Sequence, residues 1–155
     1  MTRQFLFDIF LLLSCAYAFL RGGLPERITG ILLLAGDLLS VLAVSEQPTR
    51  FHREEFGLLA VDCSLFVVLW WISVRSTRWW PLFLAGLQLD AVIAHGMRLF
   101  ASDVMPISYL NAVALWSYPM LAALVAGACR HQRRLHFYGR DSAWKAWRAA
   151  VDTSG

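Results

Sequence analysis

The chain has 155 residues, 58% of them hydrophobic, with 14 Lys and Arg against 11 Asp and Glu. A mean hydropathy of +0.53 excludes an ordinary soluble domain, and the length leaves room for one integral membrane domain and no second. The isoelectric point near 9.0 does not indicate a nucleic-acid partner, because the basic residues gather in loops and one tail, where membrane topology accounts for them.

The first apolar stretch, residues 5–20, makes a helix about 24 Å long, which is short for a span. Ala16-Tyr17-Ala18 has the form of a signal-peptidase site, and Leu12-Leu13-Ser14-Cys15 that of a poor lipoprotein box. Asp8 interrupts the apolar core such a leader needs, so an uncleaved span is expected. Gly22, Gly23 and Pro25 then signal a turn. The second span covers 28–44 with Asp37 near its middle, and a mixed-charge loop over 45–55 reads as solvated.

The chain centres on a hairpin of two spans, 56–74 and 79–97, joined by Arg75-Ser76-Thr77-Arg78. Each is close to the 20 or so residues that cross a bilayer as a helix. Neither run alternates like a barrel strand, and lipid offers no hydrogen bonds to a backbone, so helices are the only spanning form. Trp70, Trp71, Trp79 and Trp80 bracket the turn, where indoles favour the headgroup level. Gly86, Asp90 and Ala94 fall on one helix face, which is expected to pack closely.

The fifth span, 107–128, contains Pro119, expected to kink it or free a carbonyl. Ala122 with Ala126, and Ala123 with Gly127, give the small-residue spacing that lets helices approach. Residues 131–155 read as a basic cytoplasmic tail. Within it a short amphipathic helix from near Asp141 places Trp144 and Trp147 beside Lys145 and Arg148 as a membrane anchor. Cys15, Cys63 and Cys129 have no disulfide or thiolate-metal spacing. No nucleotide-binding, zinc-protease or serine-hydrolase motif occurs, no metal site is indicated, and no cofactor is implied.

Charge sets the expected orientation. Arg21, Arg27, Arg75, Arg78, Arg130, Arg133, Arg134, Arg140, Lys145 and Arg148 fall on one side, ten of the 14 basic residues, so the C-terminus is expected in the cytoplasm and the N-terminus outside. Asp37, Asp62 and Asp90 then lie at one depth, about 10 Å below the outer boundary. An ionised Asp there costs about 2.5 to 3.5 kcal/mol, so these acids are expected to be protonated, paired, or facing water or an ion. Ser40 stands three residues from Asp37 as a possible donor, and any partner of Asp62 must come from another helix. His95 does not share a face with Asp90, and as a haem ligand it lacks a second histidine in a span. A packed or interfacial imidazole is its simplest role.

The run Arg75-Ser76-Thr77-Arg78-Trp79-Trp80-Pro81-Leu82, continuing to Gln88-Leu89-Asp90 and His95, resembles small multi-pass bacterial inner-membrane proteins with no assigned function. The resemblance covers the hairpin and part of the fifth span, and implies a polytopic fold and an inner-membrane location.

The expected fold is all-α, a polytopic transmembrane helix bundle of about five spans over 1–130 with the tail beyond. Two functions fit it. One is a non-enzymatic accessory or assembly subunit, partnered by the lipid bilayer and by other membrane subunits or a second copy through its small-residue faces and tail. The other is a small proton- or cation-coupled transporter using Asp37, Asp62, Asp90 and His95.

Overall fold

The computed structural model describes residues 2–45, 51–100 and 107–145. It is all-α, with α1 (Thr2–Arg21), α2 (Leu24–Ser45), α3 (Phe51–Arg75), α4 (Trp80–Phe100) and α5 (Ile107–Tyr138). Each helix packs against the next in sequence, and α5 closes on α1. The most extensive packing joins α3 to α4, as a tight hairpin turn requires.

Local chemistry sets the helix ends. The α1–α2 turn is so close that a Cβ at Gly22 would lie 2.3 Å from the Ala18 carbonyl oxygen. Pro25 occupies the first turn of α2, where a missing N–H goes unnoticed, and Glu26 accepts the Gly23 backbone N–H at 3.0 Å as in a capping box. α5 stops at Gly139, whose φ of 68° suits glycine and whose N–H reaches the Leu135 carbonyl at 3.0 Å.

The core joins Leu11, Cys15 and Ala18 of α1 with Leu69 of α3, Trp80, Leu84 and Ala85 of α4, and Met120, Leu121 and Leu124 of α5. Most of it lies in the half of the bundle next to the two short turns. Large apolar side chains also stand on the outer surface. Leu6, Leu13 and Leu20 stand in a line on α1 at 64%, 65% and 78% exposure, and Leu38, Leu42, Val67 and Leu82 are also exposed. Among the described residues two stretches, Gln4–Arg21 and Phe56–Arg75, are long and apolar enough to cross a membrane, fewer than the five spans expected from the sequence.

The small-residue faces part company. Ala94 is buried, but a Cβ on Gly86 would meet nothing within 4 Å, so Gly86 is not at a close helix contact within this chain. Ala122 and Ala126 are exposed. Ala123 packs against the core, and Gly127 is pressed on the buried Trp80 indole, 2.7 Å from a would-be Cβ to Nε1. Gly127→Ala should therefore destabilise the bundle by about 1–3 kcal/mol through overpacking. Gly86→Ala should be neutral or raise stability by up to about 1 kcal/mol through helix propensity. Thermal unfolding in detergent separates the two.

The expected short C-terminal helix from Asp141 does not form over 141–145. α5 instead runs through Arg130, Arg133 and Arg134 to Tyr138, and the chain then turns back in extended form. Ser76 and Trp144 make an antiparallel bridge, the Lys145 N–H donates to the Arg75 carbonyl at 2.9 Å, and the Thr77 N–H donates to Ala143 at 3.3 Å. The Lys145 ammonium reaches the Val74 carbonyl at 2.9 Å, and the Trp144 ring lies 5.9 Å from that of Trp71. The carbonyls at the end of α3 have no partner within their helix, and the returning segment supplies donors to them. Trp144 and Lys145 thus hold the tail to the α3–α4 turn. Trp147 and Arg148 lie outside the described residues.

Candidate functional site: a buried carboxylate-imidazole pair

The α3–α4 hairpin aligns Asp62 with two residues of α4. Gln88 and His95 are two helical turns apart on one face of α4. Counted outward from the turn, Asp62 falls between them in depth. Its carboxylate bridges them: Oδ1 accepts from Gln88 Nε2 at 2.8 Å, and Oδ2 lies 2.6 Å from His95 Nδ1. Gln88 is buried, while the Asp62 and His95 side chains keep 15% and 19% exposure.

One proton lies in the Asp62–His95 contact. It belongs to Nδ1 when Asp62 is ionised and to Oδ2 when His95 is neutral and accepting. Gln88 orients the carboxylate from its other oxygen. The pair can hold a proton and pass it on, because it adjoins a cavity of about 260 Å³.

Asp37 of α2 lines the same cavity, with Ser40, Asp62, Gln88 and Ser117 as its other polar walls. Among the described residues the Asp37 carboxylate has no hydrogen bond or ion pair. The expected Ser40 donor is committed elsewhere, since its hydroxyl donates to the Gly36 carbonyl at 2.8 Å, one turn back on the same helix. Asp90 does not line the cavity. The common depth expected from the sequence thus does not make one site: Asp37 and Asp62 share a cavity that Asp90 does not line.

A second cluster, unforeseen from the sequence, closes the turn end. Arg78 is enclosed by residues from three other parts of the chain. Its Nη1 pairs with Glu26 of α2, and its Nη2 lies 2.7 Å from Asp141 Oδ2 and 3.1 Å from His131 Nδ1. His131 Nδ1 is itself 2.7 Å from Asp141 Oδ2, and Arg134 adds a contact at 3.4 Å. The side chains of Arg78, Glu26 and Asp141 retain only 3%, 0% and 5% exposure. The Arg78 backbone N–H also donates to the Ser76 hydroxyl oxygen at 3.1 Å. No sequence motif marks this set, because its members come from a capping position, a turn, a helix end and a tail.

No family model, curated protein or solved structure matches this chain. The chemistry of these two clusters is therefore the basis for a functional reading.

Burial pushes Asp141 upward, but the His131 hydrogen bond and the charges of Arg78 and Arg134 outweigh it and hold its carboxyl below the ordinary range. A depressed folded-state value means that tail docking is fully supported above about pH 4, the unfolded value, and weakens as pH falls through the lower folded one. The protection of the Lys145 amide against hydrogen exchange, taken relative to the intrinsic rate at each pH, should fall on acidification in that window and not change near neutral pH. Asp141→Asn should make exchange fast throughout.

Proposed function

We propose that this chain is a polytopic inner-membrane protein of five spans that works as a small proton- or cation-coupled carrier, with Asp62, His95 and Asp37 as its coupling groups. The observation that carries this is the Asp62–His95 pair, held by Gln88, with Asp62 lining a cavity that Asp37, without a hydrogen bond or ion pair among the described residues, also lines.

Several features support the membrane setting. The exposed surface is lined with leucine, two helices meet the length and hydropathy of a span, and Asp37 is the one charged residue of α2 beyond Arg27. The arginine-rich turns and the end of α5 lie together, which by the positive-inside rule supports a cytoplasmic side for them and an outer-half position for the cavity. Carboxylates and imidazoles are rare and expensive in such a setting and mark proton or ion paths. Cavity, carboxylates and hydroxyls together give protons or a small cation a place to bind.

The accessory-subunit reading has one feature in its favour. Gly86, Ala122 and Ala126 are small and exposed, and such faces allow a second helix to approach. Its other support, a free tail, is weaker because Asp141 to Lys145 are taken up within the chain.

The test is reconstitution of the full chain in vesicles carrying an entrapped pH dye. Under an imposed potential the wild type should move protons, or a monovalent cation with a linked pH change, and Asp37→Asn should lower that flux at least tenfold with folding unchanged. Equal flux for empty vesicles and the wild type would remove the carrier reading.

A further inference from the structure

Beyond its apolar stretch, α5 carries Arg130, Arg133, Arg134, Phe137 and Tyr138 at helical spacing, and these line an open cavity of about 440 Å³. None of them serves the proton site. The Arg130 guanidinium lies 5.9 Å from the centroid of the exposed Trp79 ring. Phe137 and Tyr138 stand out at the other end of the cavity.

The charge here is only partly neutralised. Among the described residues Arg134 alone of the three has an acidic partner, and that carboxylate, Asp141, is shared with Arg78 and His131. Arg130 and Arg133 have none. Because α5 stays helical to Tyr138, both guanidiniums are held on one rigid face.

We infer that this cavity binds the phosphate headgroup of an anionic phospholipid. The inference rests on the membrane reading above. Guanidinium presents its N–H groups in a planar fork that matches phosphate oxygens, and every cation in this set is an arginine. Trp79, Phe137 and Tyr138 are the aromatic types that sit at headgroup level. Leu82 and Phe83, one turn along from Trp79, are exposed and extend an apolar surface from the cavity toward the bilayer interior. A lipid has acyl chains to cover that margin, and a free phosphate does not.

The experiment is native mass spectrometry of the full chain in detergent, titrated with phosphatidylglycerol and separately with phosphatidylcholine of the same acyl chains. The wild type should retain phosphatidylglycerol preferentially. Arg133→Gln should weaken that adduct about fivefold, and Arg130→Gln with Arg133→Gln about 25-fold, leaving phosphatidylcholine unchanged. Arg133 is exposed and unpaired, so the single variant keeps its fold, which thermal unfolding verifies. Equal retention of the two lipids, or an adduct indifferent to both variants, would overturn the inference. So would displacement of the lipid by excess glycerol phosphate, which would mean that the cavity reads phosphate alone. A chain that stays dispersed without detergent would instead defeat the membrane reading itself, whatever the headgroup.

Discussion

Glu26→Ala should unfold the turn end of the bundle, lowering stability by about 3–5 kcal/mol. The loss does not measure the strength of the Glu26–Arg78 pair. It arises because the Arg78 guanidinium, with 3% of its side chain exposed, would keep its charge away from solvent with one of its two carboxylate partners removed. Gly23 would also lose the carboxylate that caps its N–H. Arg78→Met alone should cost a similar amount, since it leaves the buried Glu26 carboxylate without a cation, while Asp141 keeps His131 and Arg134. Glu26→Leu combined with Arg78→Met should recover much of the loss, because an apolar pair of similar volume needs no compensation for desolvation. Thermal unfolding of the purified protein in detergent reads all three. If both single variants unfold like the wild type, the buried network contributes no stability. Should the double variant be no better than either single one, the effect belongs to packing and not to charge.

Asp62→Asn should abolish coupled flux in vesicles while leaving the bundle folded, and it is the sharpest functional lesion available. Asparagine keeps the shape and can still accept from Gln88, but it cannot share a proton with His95. Asp62→Ala goes further, stranding the Gln88 amide and the imidazole, and should cost about 1–3 kcal/mol of stability besides. His95→Gln offers a separate arm: glutamine retains a donor for Asp62 but has no second ring nitrogen through which a proton can leave, so coupled flux should fall sharply with the bundle still folded. Full flux in His95→Gln, or in Asp62→Asn, would take the pair out of the coupling path.

The two clusters differ in how far the sequence exposed them. Asp37, Asp62, Asp90 and His95 stand out because a charge in an apolar run is energetically conspicuous. Their depths follow from a fixed rise per residue and from the short turn between α3 and α4. Gln88 is less conspicuous, yet its spacing of two helical turns from His95, with an acid at matching depth on the adjoining helix, is a signal that hairpin register can expose. Glu26, Arg78, His131 and Asp141 carry no such mark. Each sits near a predicted turn or tail, where a charged residue ordinarily reads as solvated.

The tail illustrates the same limit. Alternating aromatic and basic residues around Trp144 suit a helix lying on a membrane, yet the described part is extended. The Arg75 and Val74 carbonyls and the Arg78 guanidinium supply partners that its own sequence does not mention.

From residue order alone came the all-α class, the five apolar stretches, the places where the chain turns and the position of each acid along its helix, because hydrophobic run length and helical rise are local properties. Only the tertiary structure decided that Asp62 meets His95, that Asp37 shares its cavity and Asp90 does not, and that Arg78 is sealed beneath the tail. Those outcomes depend on how each helix is rotated against its neighbours, and rotation is set by side chains from distant parts of the chain packing together.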